Sequence, residues 1–215
     1  IPPPLSPLAQ GAARASLATV NYDLVTTTTA PVALAAGRLD EQSRFGDLVR
    51  AWRIVSARHS EARLWVLGDG PLRDRLFHQI SDLDQRFRVL IPGTFDSLRE
   101  IMQAADLFLD PAPHTVAPLA LLEALAAGLP VACADAPALR GLVGPEAAAM
   151  FFPSGDIKGL ADAICGQFDN AAAGIRRASA IRLQLQQAPT PGDEAAAYVD
   201  LFQRLGNPTG FDQTR

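Results

Sequence analysis

An α/β fold on a parallel sheet is what this sequence predicts, and three observations predict it. Short apolar runs recur along the 215 residues. Each is followed by a stretch whose apolar residues fall at helical spacing, and glycine or proline marks the junctions. About half the residues are hydrophobic (48%) and a fifth are charged (20%), so a chain of this length can bury a core. Strands alternating with helices imply βαβ units, right-handed crossovers and helices on both faces of the sheet. The expected architecture is a Rossmann-like sheet of about six strands.

The elements follow in order. The prolines near the amino terminus mark residues 1–30 as a lead-in with little periodicity. Val32–Ala36 is an apolar run stopped by Gly37 and reads as a buried strand. Phe45, Leu48, Val49, Trp52 and Val55 share one face of a helix. Leu64–Leu67 is the second strand, closed by Gly68-Asp69-Gly70-Pro71, and the next helix buries Leu72, Leu76 and Ile80. Phe87–Ile91 is the third strand. Asp96 or Ser97 caps a helix carrying Leu98, Ile101 and Met102. Leu107–Leu109 is the fourth strand, Leu119–Ala127 an apolar helix ended by Gly128, and Pro130–Ala134 the fifth strand. Ala147–Phe152 is the sixth. Helices are expected at 156–168, 170–187 and 193–205.

Composition excludes several classes of function. The net charge of −4 argues against a general nucleic-acid binder, whose phosphate contacts need a basic face. No apolar run approaches the length of a membrane span. Two cysteines, Cys133 and Cys165, imply no disulfide framework and a reducing compartment. No cluster has metal-ligand spacing, no Walker lysine follows a Gly-rich loop, and no G-x-S-x-G elbow supplies a nucleophile. Cys133 lies in an apolar strand and reads as core. A start at Ile1 is expected to mark a piece of a longer chain.

In open parallel sheets, ligands bind beyond the carboxyl ends of the strands. The loops after Ala36, Leu67, Ile91, Leu109 and Ala134 are therefore the candidate site. Gly37-Arg38 and Arg44 flank a helix start, where phosphate is favoured; equally, Arg38 could pair with Asp40 or Glu41 on the surface. Gly70 could admit a ligand to the backbone or serve a plain turn. Glu123 is the one acid on an apolar helix. It either holds a ligand hydroxyl or faces solvent or an arginine, and periodicity favours the second. His114 is a ligand contact or a capping residue, and Asp110 ends a strand.

Read together and in order, Ala35-Ala36-Gly37-Arg38-Leu39, Leu64–Pro71, Ala104–Pro111 and Pro118–Val131 resemble the donor-binding half of a GT-B fold glycosyltransferase of the retaining group 1 (GT4-like) family. Pro153–Asp156 and Leu160–Ile164 fit its late helix. The resemblance covers residues 31–168. It implies the C-terminal half of a GT-B fold, with residues 31–190 as the nucleotide-sugar domain. Residues 191–215 would then be a helix and tail crossing back to an N-terminal acceptor domain that precedes it. It also implies a bacterial, cytoplasmic, metal-independent enzyme without cofactors, using a nucleotide-diphosphate sugar as donor. Membrane contact would come only through the other half, at the inner face.

The resemblance further implies roles for single residues. Arg38 binds the donor diphosphate. The second cation falls on Arg44 counting forward from Arg38, and on Ser43 counting back from the helix. Glu123 is the second glutamate of an E-x7-E motif and grips the ribose. The first glutamate position is Thr115, and Val116 stands where glycine is usual. Backbone N–H groups near Ala117 and Leu119 cradle phosphate, whereas Pro118 has none to offer. Base recognition lies near Gly93–Leu98. Threonine can hydrogen-bond a sugar but supplies no carboxylate. A degenerate, non-catalytic binding or assembly module is therefore the alternative, and an epimerase-like GT-B enzyme ranks below both.

Overall fold

The computed structural model describes residues 7–20, 24, 26, 27, 29–113, 119–143, 151–187, 199 and 200. Six strands form one sheet: β1 (Val32–Ala36), β2 (Arg63–Leu67), β3 (Val89–Gly93), β4 (Leu107–Asp110), β5 (Val131–Ala134) and β6 (Phe151–Phe152). Their order is β3-β2-β1-β4-β5-β6, and every neighbouring pair is parallel. β1 sits at the centre, with Val32–Ala35 fully buried. That burial on both faces is why its residues are apolar without alternation.

Period-two alternation sends Ala33, Ala35, Leu64, Val66, Leu107 and Leu109 to one face. There they pack under α2 (Phe45–Arg58), α3 (Arg73–Asp82) and α7 (Ile157–Asp169). α4 (Arg99–Ala104) and α5 (Leu119–Ala127) pack together, and α5 lies against β4 and β5. The chain thus winds from β1 through α2 and α3 to one edge, and from β4 through α5 towards the other. The winding reverses between β1 and β4, which is the switch point of a doubly wound sheet.

Three differences from the sequence expectation have physical causes. The segment read as a lead-in carries a helix, α1 (Pro7–Val20). Pro7 is its first residue, where a missing N–H costs nothing. Its stability comes from tertiary contacts that periodicity does not show. Arg14, 6% exposed, donates to the Ala104 carbonyl at 2.9 Å and to Asp106 Oδ2 at 2.8 Å. Gln10 donates to Asp106 Oδ1 at 2.7 Å, and the Val32 amide donates to Oδ2 at 2.7 Å. One carboxylate therefore ties α1 to the amino ends of β1 and β4. A second unpredicted helix, α6 (Pro137–Val143), also begins on proline. The third strand runs later than expected, through Pro92 to Gly93; it is an edge strand, where proline is tolerated. Phe87 precedes it and is exposed.

By compactness the chain divides into a unit of residues 1–182 and another of residues 183–215. Helix α8 (Ala171–Gln186) runs across that boundary. Residues 147–150 of the expected sixth strand lie outside the described residues, as does the expected helix at 193–205 apart from 199 and 200.

Asp106→Ala is expected to lower stability by about 2–3 kcal/mol, because it removes the carboxylate that the buried Arg14 guanidinium, Gln10 and the Val32 amide share. Urea unfolding monitored by tryptophan fluorescence measures this. A loss below about 0.5 kcal/mol would contradict the anchoring role.

Candidate functional site at the switch point

The site is built where β1 and β4 end. The loop after β1 is held against its neighbour by backbone. The Gly37 amide donates to the Leu67 carbonyl at 3.0 Å, Leu39 to Asp69 at 3.0 Å, and Leu72 to Leu39 at 2.9 Å. The loop after β2 thus lies directly against the loop after β1. Such an approach leaves no room for side chains. A Cβ on Gly68 (φ +132°) would overlap the Gly37 carbonyl oxygen, and one on Gly70 would lie 2.5 Å from the Leu39 carbonyl oxygen. Gly70, a candidate for ligand contact, is also needed for the approach of the protein's own Leu39.

Asp40 then shapes the turn. Its Oδ1 accepts from the amides of Gln42 and Ser43, both at 3.0 Å, while Ser43 Oγ donates to the Asp40 carbonyl at 2.7 Å. Its Oδ2 lies 3.5 Å from Arg38 Nε. The surface pairing anticipated for Arg38 is therefore present. It is loose, and Arg38 remains 75% exposed, so the pair contributes little and releases Arg38 cheaply.

A cavity of about 230 Å³ opens here. Gly37, Arg38, Asp40 and Ser43 line one side, and Phe108, Asp110 and Leu121 the other. Asp110 is buried at the end of β4, and its Oδ1 accepts from the Ala112 amide at 3.3 Å. Asp110 also faces Cys133 across the β4–β5 register. Burial, followed by the charges of Asp110 and Asp135, pushes the Cys133 thiol far above its ordinary value. It stays a neutral core group, as the sequence suggests.

Of the two residues on which the second cation position falls by counting, Ser43 lines this cavity with Arg38, and Arg44 lies elsewhere. Arg44 is the N-cap of α2 with φ 55°, an uncommon conformation for a residue other than glycine. Its guanidinium is bonded to Asp47 Oδ2 at 2.8 and 2.5 Å. Asp47 is buried and also accepts from Arg50 at 2.5 Å. Arg44 lines a separate cavity beside α2 and α3.

Glu123 projects from the exposed side of α5 and lines another cavity, of about 400 Å³, between α4 and α5. Asp96, Ser97, Leu98, Arg99 and Met102 line it too. Leu98 is the N-cap of α4 and makes no side-chain cap bond, while the first amide of the helix, that of Arg99, donates to Ser97 Oγ at 3.3 Å, so of the two expected caps it is Ser97 that meets the helix start. Leu119, the first residue of α5, is 71% exposed. His114, Thr115, Val116, Ala117 and Pro118 lie outside the described residues. Among the described residues, no group of three potential metal ligands comes together, and no helix is long and apolar enough to cross a membrane. The sequence reasoning missed Asp40 as an organiser. The signal was available: an aspartate two and three residues before amides that need acceptors is an Asx turn.

The fold and its cleft define a doubly wound α/β domain with its site at the switch point, the architecture of GT-B glycosyltransferases. The sequence pattern of the family of group 1 glycosyl transferases matches residues 30–170, and the chain belongs to that family. It is 32% identical over 141 residues to the lipopolysaccharide core biosynthesis glycosyltransferase LpsE of Rhizobium meliloti (strain 1021), covering 66% of this chain and 40% of that protein. LpsD of the same organism is 29% identical over 182 residues, covering 85% of this chain and 52% of LpsD. The chain therefore spans about half or less of the length of these relatives. The crystal structure of Anabaena HepE in complex with UDP superposes with a TM-score of 0.74 at 20% identity. That likeness concerns the fold and covers 94% of this chain and 53% of HepE.

Gly68→Ala is expected to cost about 2–3 kcal/mol, since the new methyl meets backbone that cannot move. Gly166→Ala, on the open face of α7 with nothing within 4 Å, is expected to gain about 0.5–1 kcal/mol. Thermal and urea unfolding of the pair test whether the two strand-end loops are packed as described. Similar stabilities for both variants would contradict it.

Proposed function

We propose that this chain is the donor-binding half of a retaining glycosyltransferase, holding the nucleoside diphosphate of a nucleotide sugar. The observation that carries this reading is Arg38 at the rim of the switch-point cavity, next to the amino end of α5. The helix start and the guanidinium both favour a diphosphate there. The approaching diphosphate also meets Asp40 and Asp110, so Arg38 must leave Asp40. The loose 3.5 Å pair makes that exchange inexpensive.

The chemistry follows from this placement. When the bond between the sugar's anomeric carbon and the diphosphate oxygen breaks, its electron pair passes to the diphosphate. Arg38 stabilises the charge that develops there. Ser43 is placed to add a hydrogen bond to the same group, and Arg44 would serve only after giving up Asp47. Glu123 accepts from the ribose hydroxyls in the cavity between α4 and α5. The proposed mechanism uses no metal. The acceptor would be held by an N-terminal domain outside this chain, so the chain binds donor without turning it over, with cytoplasmic placement as its companion expectation. Thr115, where the resemblance expects a glutamate, favours a second reading: a binding module that has lost transfer. Restoring Thr115→Glu in the full-length protein separates the two, with a gain of transfer expected only for the module.

Calorimetric titration with UDP, GDP and ADP tests the donor role. One diphosphate is expected to bind in the micromolar to low-millimolar range. Arg38→Ala is expected to weaken it roughly tenfold to a hundredfold while leaving the uncharged nucleoside unchanged. Glu123→Ala is expected to weaken nucleoside and diphosphate alike. Absence of binding by all three diphosphates would overturn the reading, and an equal loss for nucleoside and diphosphate in Arg38→Ala would overturn the role of Arg38.

A further inference from the structure

The charged side chains around the cleft fall into two groups. Arg38 is paired with Asp40, Arg44 and Arg50 with Asp47, Arg73 with Asp69, and Arg75 with Glu41. Asp96, Arg99 and Glu123 are different. Their side chains take part in no hydrogen bond or ion pair among the described residues, although all three line one cavity of about 400 Å³. Asp96 does not cap α4, whose first amide, that of Arg99, donates to Ser97 Oγ instead. Met102 is buried and Leu98 half-buried, so the cavity has an apolar wall beneath its charged rim.

An apolar wall with hydrogen-bonding groups at one rim suits a nucleobase. Resting on the donor-domain reading above, we infer that Asp96 and Arg99 select guanine, so that the donor is a GDP-sugar. Guanine carries two adjacent donors, N1–H and N2–H₂, and two adjacent acceptors, O6 and N7. A carboxylate, which only accepts, fits the first pair. A guanidinium fits the second as a bidentate fork. Uracil sets its single N3–H between two carbonyl oxygens, which a carboxylate repels. Adenine and cytosine put a ring-nitrogen acceptor beside their amino group, with the same result. Asp96 and Arg99 are three residues apart, one in the loop and one opening α4, so together they can meet two adjacent edges of one base. Glu123, across the cavity on α5, remains for the ribose.

The test is titration of this chain with GDP, UDP, ADP, CDP and inosine diphosphate, which is GDP without the N2 amino group. GDP is expected to bind at least tenfold more tightly than UDP, ADP or CDP, and about tenfold more tightly than inosine diphosphate. Asp96→Asn is expected to bring GDP down to the inosine diphosphate level while changing inosine diphosphate less. Arg99→Ala is expected to weaken GDP and inosine diphosphate together and UDP less. Both side chains are exposed and make no bond among the described residues, so the variants retain the fold. Arg38-dependent binding of UDP, ADP or CDP at least as tight as GDP would overturn the guanine assignment and leave the donor reading standing. A GDP preference unchanged in Asp96→Asn would overturn the role of Asp96. Absence of any diphosphate binding would remove the donor reading and this inference with it.

Discussion

The candidate site depends on one constraint: two strand-end loops packed backbone against backbone. The loop after β1 has few side-chain anchors of its own. It is held by amides and carbonyls exchanged with the loop after β2, through Gly37, Leu39, Asp69 and Leu72. Main-chain atoms can come this close only where Cβ is absent, as at Gly68 and Gly70. That contact sets the height and direction of Gly37-Arg38. The strand-end loop therefore has the rigidity a binding group needs, without spending side chains that the cavity uses.

Charge around the cleft is arranged with a similar economy. Arg38, Arg44, Arg50, Arg73 and Arg75 are engaged with carboxylates, which keeps this side of an acidic chain from presenting a broadly basic surface. Buried Asp47 gathers Arg44 and Arg50 beside α2, whereas Arg38 is held only at arm's length by Asp40. The difference is in desolvation. A pair around a buried carboxylate is costly to break, and an exposed pair at 3.5 Å is not. Two arginines six residues apart in sequence thus have different availability.

The opposite end of the sheet carries the structural load. Asp106 binds Arg14, Gln10 and the first amide of β1, at the amino ends of the central strands. The cavities lie at the carboxyl ends. In parallel sheets this separation is general, because the carboxyl-end loops are free to vary while the amino ends close the core. It lets the amino-terminal helix stabilise the domain without entering its cleft.

The alternation of apolar runs and amphipathic stretches was enough to assign the class, the six strands and most helices, since burial on two faces or one leaves a periodic trace. The family pattern was legible for a similar reason: Gly37-Arg38, Gly68–Pro71 and Glu123 occur at set distances in the chain. Helix α1 was not legible, because Arg14 and Gln10 are polar and their partner lies some ninety residues away. Nor was it legible that Ser43 shares a cavity with Arg38 while Arg44 is held by Asp47. The sequence by itself determined which residues are available at the carboxyl ends of the strands. Only the tertiary structure decided which of them are free to act, because ion pairing and close backbone approach depend on distances that sequence spacing does not encode.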